Sequence, residues 1–389
     1  MIVSEKMTVR RRDVIAAMGG SATLGIAMGP KDVLGKAGDK IDVVMEYKGS
    51  EPYHVERLPR SWVNYTEKVK RTSNSLTRKN KNTEGVFDFC VVAGKKMKGG
   101  KEVNQIRAII KKGSGAEKQI PDSKNGVPIE IKEVEKRDTT LLTHSGCENN
   151  GVFDHYDGGI WIEIPSNDDN SGTVNGTATC TVHNNNNTDY ALTANHLFNG
   201  GALGDCDGNW DEDAYQHYQN ADQHVGVVDK YREKMDYALL PLDGLNPSSD
   251  ISSAQWNGQI VSHASDNRLA ELVQDETTIE QMGYVTGATT GELKSKSRTD
   301  TGDCVNTDNN GIRFSCDVIE GDSGGPVYTE SENSAGDITM IGHLIGTNNL
   351  MREGMQVCDN ANHDQAYKSG FGAPSYVKAD EFNLTYGSS

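Results

Sequence analysis

The C-terminal part of the chain carries a pattern of short apolar runs that restricts its fold more than any other feature. Between Cys147 and Ser389 such runs recur, with Gly, Asn, Asp and Ser residues between them. Short apolar runs bounded by turn-forming residues are typical of β-strands, and no long segment with a 3.6-residue period interrupts them before the end of the chain. We therefore predict an all-β domain over residues 146–389.

A glycine-rich turn around a serine precedes one of these runs. Residues 316–328 read Cys-Asp-Val-Ile-Glu-Gly-Asp-Ser-Gly-Gly-Pro-Val-Tyr. A serine hydroxyl is a weak nucleophile, so a chain that uses one must aim donors at the oxygen on which negative charge develops. Because glycine has no Cβ, the backbone at Gly321 can turn until the N–H groups of Gly321 and Ser323 converge. We predict that Ser323 is a nucleophile and that these N–H groups form its oxyanion hole. The alternative is an ordinary glycine-rich turn.

A nucleophilic serine needs a base, and the base needs a carboxylate that orients it. His196 ends the run Tyr-Ala-Leu-Thr-Ala-Asn-His, and Asp236 stands directly before the run Tyr-Ala-Leu-Leu. The chain holds ten histidines and many carboxylates, so only the local sequence distinguishes these two residues from the others. We predict that His196 is the base and that Asp236 orients it.

Three blocks follow one another in the order His, Asp, Ser, namely Thr-Ala-Asn-His, Asp-Tyr-Ala-Leu-Leu and Gly-Asp-Ser-Gly-Gly-Pro. They resemble the signature blocks of the chymotrypsin/trypsin-like serine endopeptidases, and the order is informative because unrelated folds carry the same triad in other orders. The resemblance implies two six-stranded antiparallel β-barrels packed together. His196 and Asp236 would belong to the first barrel and Ser323 to the second, and the substrates would be proteins or peptides.

The resemblance also implies roles for neighbouring residues. The residue six before the serine is Asp317, which would lie at the base of the primary pocket, where a carboxylate selects Lys or Arg. The backbone of residues 344–347, including Ile345, Gly346 and Thr347, would form the rim. Asp322 resembles the family residue whose buried carboxylate holds the oxyanion hole in shape, but no Ile-Val-Gly-Gly-like activated terminus is visible to pair with it.

Two other functions remain open. Gly321, Ser323 and Gly325 also satisfy Gly-x-Ser-x-Gly, the nucleophile motif of α/β-hydrolase esterases. That fold requires a helix immediately after the serine, and Gly-Gly-Pro-Val-Tyr is a poor helix start. The second alternative is a catalytically silent binding protein on the peptidase scaffold.

The first 30 residues have the composition of an export signal. Arg10, Arg11 and Arg12 precede a short, moderately apolar stretch rich in Gly and Ala. This order is typical of a twin-arginine signal, and the alternative is a basic arm ahead of a helix. The stretch is too short to remain in a bilayer. We expect an extracellular product without stable membrane association.

Residues 31–140 differ in charge from the rest of the chain. Residues 1–140 hold 28 Lys+Arg against 18 Asp+Glu, whereas residues 141–389 hold 11 against 38. Residues 31–80 read as polar and irregular apart from a patch at 41–45, and three strand-like runs follow, so we predict a small α+β or β unit that looks like the propeptide of a zymogen. Its basic charge would dock it on the acidic domain. Nucleic acid is disfavoured because the whole chain is acidic and carries no nucleic-acid module. Lys136-Arg137 would suit self-processing by an enzyme specific for basic residues.

The acidic excess has two explanations. A carboxylate-rich surface is typical of a halophile protein. Alternatively, some carboxylates bind calcium, because oxygen side chains occupy every second position at Asp205, Asp207, Asn209 and Asp211. This run departs from the EF-hand pattern, since its glycine comes early and the final Glu is replaced. No cofactor is required for the predicted chemistry.

The cysteine count agrees with export. The chain has seven cysteines, and removal of the segment that contains Cys90 would leave an even number for disulfide bonds. The family resemblance implies a bridge from Cys180 to Cys206 around the histidine loop. Zinc is disfavoured because no pair of CxxC spacings is present.

Overall fold

The computed structural model describes residues 40–80, 82–134, 140–141, 153–165, 173–199, 213–218, 221–252, 254, 256, 258–297, 307, 310–347, 351–353, 365–367 and 369–389. The predicted signal segment and the candidate calcium run at residues 205–211 lie outside these ranges. Among the described residues, no helix has both the length and the apolar character needed to cross a membrane.

The N-terminal unit consists of one helix packed on a small sheet. Its elements are β1 (Lys40–Lys48), β2 (Glu51–Pro59), α1 (Arg60–Lys79), β3 (Val86–Lys98), β4 (Lys101–Lys111), a 3-10 turn (Ala116–Gln119), β5 (Ser123–Lys124) and β6 (Val127–Val134). Strands β3 and β4 are antiparallel and β4 and β6 are parallel. The helix buries Trp62, Val69 and Leu76, which recur every seven residues and so face the sheet together.

Helix α1 corrects the expectation that residues 31–80 are irregular. Its buried face also carries polar residues, including Thr66, Thr72 and Ser73. These residues interrupt the apolar period that would announce a helix in the sequence. Ser73 is accommodated in the core because its hydroxyl donates to the Phe89 carbonyl at 2.6 Å. The α+β form of the prediction therefore fits this unit.

The first barrel follows β7 (Thr140–Leu141). Its strands are β8 (His155–Gly158), β9 (Trp161–Pro165), β10 (Thr173–Thr177), β11 (Cys180–His183), β12 (Asp189–Thr193), β13 (Asp213–Tyr218), β14 (Ala221–Val227), β15 (Lys230–Arg232), β16 (Tyr237–Pro241) and β17 (Asn246–Ile251), with 3-10 turns at Asn195–Asn199 and Glu233–Met235. The sheet β10-β9-β13-β14 and the sheet β15-β16-β12-β11 enclose an apolar core that includes Ile162, Leu197 and Leu240.

The second barrel closes on itself. After β18 (Ile260–Ala264) and α2 (Asp266–Asp275) come β19 (Thr278–Gly283), β20 (Gly287–Ser297), β21 (Gly311–Phe314), β22 (Pro326–Glu330), β23 (Ile338–Thr347), β24 (Met351–Glu353), β25 (Gln365–Tyr367), β26 (Gly370–Pro374), α3 (Ser375–Phe382) and β27 (Thr385–Tyr386). The pairing order β19-β20-β21-β26-β23-β22 returns to β19, so six strands form a closed ring. The predicted all-β class with two six-stranded antiparallel barrels is confirmed.

The N-terminal unit is continuous with the second barrel through two strand pairings. Strand β1 is antiparallel to β18, and β3 pairs with β20. Ion pairs reinforce the contact, because Lys70 lies 2.5 Å from Asp266 and Lys101 lies 2.6 Å from Glu271 on α2. Basic side chains of the unit therefore do contact carboxylates of the acidic part of the chain.

Candidate active site

Two turns of the first barrel bring His196 and Asp236 together. Strands β12 and β16 pair with Thr193 opposite Ala238, so His196, just after β12, lies beside Asp236, just before β16. The His196 Nδ1–H donates to Asp236 Oδ2 at 2.6 Å, and the His196 backbone N–H donates to Asp236 Oδ1 at 2.8 Å. Both side chains are buried. Because the carboxylate fixes the proton on Nδ1, His196 Nε2 presents a lone pair and has the form a general base requires.

A buried pair of side chains, His343 and Lys378, is hydrogen-bonded to the backbone carbonyl of Asp236. The His343 Nε2–H donates to the Asp236 carbonyl at 2.7 Å, and His343 Nδ1 accepts from Lys378 Nζ at 2.5 Å. Burial lowers the pKa of Lys378 to about 7 and lowers the pKa of His343 well below its usual range. Sequence reasoning missed both residues, since His343 stands inside the apolar run of β23 and Lys378 in a short polar helix far from the motifs. Asp236 is thus held through both its carboxylate and its carbonyl.

The Ser323 turn packs directly on the first barrel. Gly324 has a positive φ of 90°, and a Cβ there would come within 2.2 Å of the Thr177 carbonyl and 2.5 Å of Thr193 Oγ1. Hydrogen bonds cross the same contact, from Thr177 N to the Ser323 carbonyl at 2.8 Å and from Thr177 Oγ1 to the Gly321 carbonyl at 2.9 Å. Only glycine fits at position 324 at this separation. The turn is therefore fixed against the strand end that leads to His196.

The side chains of Ser323 and His196 are not hydrogen-bonded to each other. Ser323 Oγ donates to the Ile345 carbonyl at 3.1 Å. His196 Nε2 is buried and has no hydrogen-bond partner among the described residues. The structure therefore forms the Asp–His contact of the predicted triad, and the second ring nitrogen of His196 has no partner among the described residues.

Asp322 organises the turn, and none of the described Lys and Arg side chains forms an ion pair with it. Its Oδ1 accepts from the backbone N–H groups of Val285 and Thr286, both at 3.2 Å, and its Oδ2 accepts from the Ile319 N–H and the Thr286 hydroxyl, both at 2.9 Å. Burial raises the pKa of this carboxyl to about 7, and the four donors oppose that rise. A Cβ at Gly283 would lie 1.8 Å from Oδ1. This cradle supplies what the sequence left open, the group that holds the carboxylate beside the predicted oxyanion hole.

The predicted rim residues lie on the last part of β23, and the predicted pocket residue lies before the serine turn. Gly346 and Thr347 pair on one side with β26 and on the other with β7. Asp317 is half-buried, and its carbonyl accepts from Thr289 Oγ1 at 2.7 Å. Its place in a substrate pocket stays a prediction. The N–H groups of Gly321 and Ser323 likewise remain the predicted oxyanion donors.

Cys180 and Cys316 are buried free thiols, and burial raises the pKa of Cys180 to about 12. The buried Cys90 thiol donates to Asp88 Oδ2 at 3.4 Å. Cys180 is a free thiol and not half of the expected bridge to Cys206, and it packs in an apolar cluster with residues of both barrels, including Tyr237 and Ile345. Cys206 lies outside the described residues, as do the other three cysteines. Within the described part of the chain, no group of three metal-ligating side chains is assembled.

Comparisons with known proteins give a general likeness only. No protein-family model matches the sequence, and no curated protein matches it. Among solved structures, the chain is similar to a Nocardiopsis protease and to Thermobifida fusca protease A, each at 14% identity with a TM-score of 0.38, over 60% of this chain and 100% of the other. A serine protease specific for glutamic acid matches at 18% identity with a TM-score of 0.41, over 59% of this chain and 98% of the other. These scores are low, so the function proposed below rests on the site itself.

Proposed function

We propose that the chain is a serine endopeptidase that hydrolyses peptide bonds through Ser323, His196 and Asp236. One observation carries the proposal. The buried Asp236 carboxylate accepts hydrogen bonds from both the ring and the backbone N–H of His196, and His196 Nε2 has no hydrogen-bond partner among the described residues. A buried imidazole with an unpartnered nitrogen is costly in a structural role. The cost is explained if the nitrogen exchanges protons with a substrate-bound serine.

The residues then act in a fixed order. Ser323 Oγ leaves the Ile345 carbonyl, passes its proton to His196 Nε2 and attacks the scissile carbonyl. Asp236 stabilises the imidazolium that forms, and the N–H groups of Gly321 and Ser323 donate to the developing oxyanion. His196 then protonates the leaving amine, and water hydrolyses the acyl-enzyme. Asp322 acts on the oxyanion donors only through the shape of the turn.

The esterase alternative does not suit this fold. An α/β-hydrolase places its nucleophile between a strand and a helix, whereas Ser323 is followed by strand β22 at Pro326–Glu330 within a closed barrel. A catalytically silent binding protein on the same scaffold would make no use of an oriented, unpaired imidazole. The covalent labelling experiment below distinguishes this alternative from the peptidase.

The finer features extend the proposal. Asp317 would favour Lys or Arg at the cleavage site, and Ile345, Gly346 and Thr347 would bind the substrate backbone. The paired arginines near the N-terminus support export by the twin-arginine route, and the charge difference and the ion pairs to α2 support a propeptide role for residues 31–140. The excess of acidic residues would adapt the protein to concentrated salt. Calcium binding at residues 205–211 is the second explanation for that excess.

A covalent probe tests the proposal. A fluorophosphonate should label the wild-type chain and leave Ser323→Ala unlabelled, and casein hydrolysis should be lost in the same variant. Ser249→Ala is the control, because the Ser249 hydroxyl is also hydrogen-bonded but lies on β17, where it is partly buried whereas Ser323 is fully buried. Labelling or hydrolysis that persists in Ser323→Ala would reject the nucleophile. A folded wild-type chain that takes no label would indicate the silent scaffold.

A further inference from the structure

The proposed triad is divided between the two barrels, so its geometry depends on contacts that cross from one barrel to the other. Strand β23 of the second barrel contacts both parts of it. The His343 Nε2–H donates to the Asp236 carbonyl at 2.7 Å, and the Ile345 carbonyl, two residues further along the strand, accepts from Ser323 Oγ at 3.1 Å. One strand therefore links the residue that orients the base to the residue that acts as nucleophile.

Asp236 has a backbone conformation that needs support from its surroundings. Its φ and ψ are both 52°, in the left-handed region that residues with a side chain seldom adopt. Such a conformation persists only where neighbouring groups hold it. The Asp236 N–H donates to the Glu233 carbonyl at 3.0 Å, and its carbonyl accepts from the Asn195 N–H at 3.2 Å as well as from His343 at 2.7 Å. The bond from His343 is the shortest of the three.

Lys378 favours the form of His343 that can donate this bond. The Asp236 carbonyl can only accept, so His343 Nε2 carries the proton and Nδ1 carries the lone pair. Lys378 Nζ donates to that lone pair at 2.5 Å. The side chains of His343 and Lys378 are both 0% exposed. Because neither side chain reaches the surface, they act on the site only through Asp236.

Helix α3, which carries Lys378, is fixed against the first barrel beside Asp236. The Tyr237 hydroxyl donates to Glu381 Oε2 at 2.7 Å, and the Tyr237 ring packs edge-on against Phe382 with 5.8 Å between the centroids. The Lys378 amine lies 5.9 Å from the centroid of the same tyrosine ring. The amine is thus held beside the residue that directly follows Asp236.

We propose that His343 and Lys378 are positioning residues of the peptidase reaction, which hold Asp236, and through it the His196 imidazole, where the imidazole can take the proton of Ser323. The inference rests on the proposed function. It assigns the pair no contact with the substrate, so substrate binding does not depend on it. A misplacement of about 1 Å in a reacting group costs on the order of 10²-fold in rate, and the loss should fall on kcat alone.

A double variant separates positioning from folding. His343→Leu with Lys378→Met replaces both partners by apolar groups, which is close to neutral for stability, whereas a single replacement leaves a buried polar group without its partner. The Asp236 carbonyl keeps the Asn195 N–H as a donor. Casein hydrolysis is measured per site that takes the fluorophosphonate label, so that misfolded molecules do not count. In the double variant kcat should fall by about 10²-fold and KM should stay unchanged.

Two further variants serve as rescue and control. His343→Gln keeps an N–H donor for the Asp236 carbonyl and an oxygen acceptor for Lys378, so its kcat should stay near that of the wild type. His263→Leu is the matched control, because His263 is also a buried histidine but lies on β18, where its ring contacts Tyr47 and Tyr386. Its kcat per labelled site should equal that of the wild type.

Proton NMR gives a readout that does not depend on hydrolysis. The hydrogen bond from His196 Nδ1 to Asp236 Oδ2 is 2.6 Å long. A short hydrogen bond to a carboxylate is strong and deshields its proton, so this proton should give a separate resonance at low field in the wild type and in His343→Gln. The double variant should shift or lose that resonance.

Other outcomes overturn the inference. Wild-type kcat in the double variant, a change in KM alone, a fall in the number of labelled sites without a fall in kcat per site, or an equal loss of kcat in His343→Gln would each reject the positioning role and leave the peptidase intact. Absence of label and hydrolysis in the wild type would reject the proposed function. An unchanged low-field resonance in the double variant would then reject the hold on Asp236 as well.

Discussion

Replacement of Asp322 by asparagine tests the carboxylate that supports the serine turn. The carboxylate offers two oxygens to four donors, whereas an amide offers one oxygen and one NH2 group. If the amide oxygen still accepts from the backbone N–H groups of Val285 and Thr286, the NH2 group faces the Ile319 N–H, which then has no acceptor. An unsatisfied buried donor costs about 1 to 3 kcal/mol. The loop can avoid this cost only by moving, and the predicted oxyanion donors move with it.

The expected result is a loss of activity that stability does not explain. Loss of one oxyanion donor costs on the order of 10² to 10³ in kcat, so Asp322→Asn should lose activity in this range at pH 8. The pKa of Asp322 is raised to about 7 from 3.8, so the folded state holds a proton that the unfolded chain releases. The wild type should therefore lose stability relative to Asp322→Asn as the pH rises through this window, by up to about 4 kcal/mol.

Two measurements decide the matter. Denaturant unfolding of both proteins at about pH 4.5 and about pH 8, which span most of the window of linkage, gives the difference in the free energy of unfolding. Casein hydrolysis at pH 8 gives the activity. A variant with wild-type kcat would show that the carboxylate does not shape the site. A stability difference that is flat between the two pH values would show that burial of Asp322 costs nothing.

Three more variants follow from the structure. Gly283→Ala should lose activity as Asp322→Asn does, because its methyl group occupies the carboxylate's place, and full hydrolysis of casein would contradict this. Lys378→Met removes an amine whose pKa is lowered to about 7. The free energy of unfolding of the wild type should therefore rise relative to that of the variant between about pH 7 and pH 10, by a few kcal/mol at most. A difference that stays constant with pH would show that the amine paired with His343 is not desolvated. Glu46→Ala removes the acceptor of the buried Ser331 hydroxyl and one of the two partners of the buried Ser262 hydroxyl, which keeps Thr339. Limited proteolysis of the N-terminal unit should therefore become faster, and an unchanged rate would show that this contact does not hold the unit.

The fold class and the Asp–His pair were predictable from the sequence because their signals are local. A short apolar run bounded by turn-forming residues indicates a strand, and one such run ends just before His196 while another begins just after Asp236. Strand pairing between β12 and β16 then brings the two ends together. The role of the glycines around Ser323 could also be predicted, because few other residues adopt positive φ angles or allow another strand to lie so close to the backbone.

What the sequence did not reveal depends on contacts between distant segments. Helix α1 buries a mixed polar and apolar face, which only the sheet beneath it makes stable. His343 and Lys378 meet beneath Asp236 although neither belongs to a motif. The four donors around Asp322 come from two separate turns. In each case, burial turns a residue that reads as ordinary into one with a defined role.

The pairing of β1 with β18 has a consequence for the life of the molecule after any cleavage. While the N-terminal unit is in place, Glu46 and Tyr47 of β1 pair with Ala264 and His263 on one edge of β18. Departure of the unit would expose this edge, and an open strand edge is a template for self-association and aggregation. The N-terminal unit therefore also serves as a cover that keeps one molecule from adding its sheet to the next.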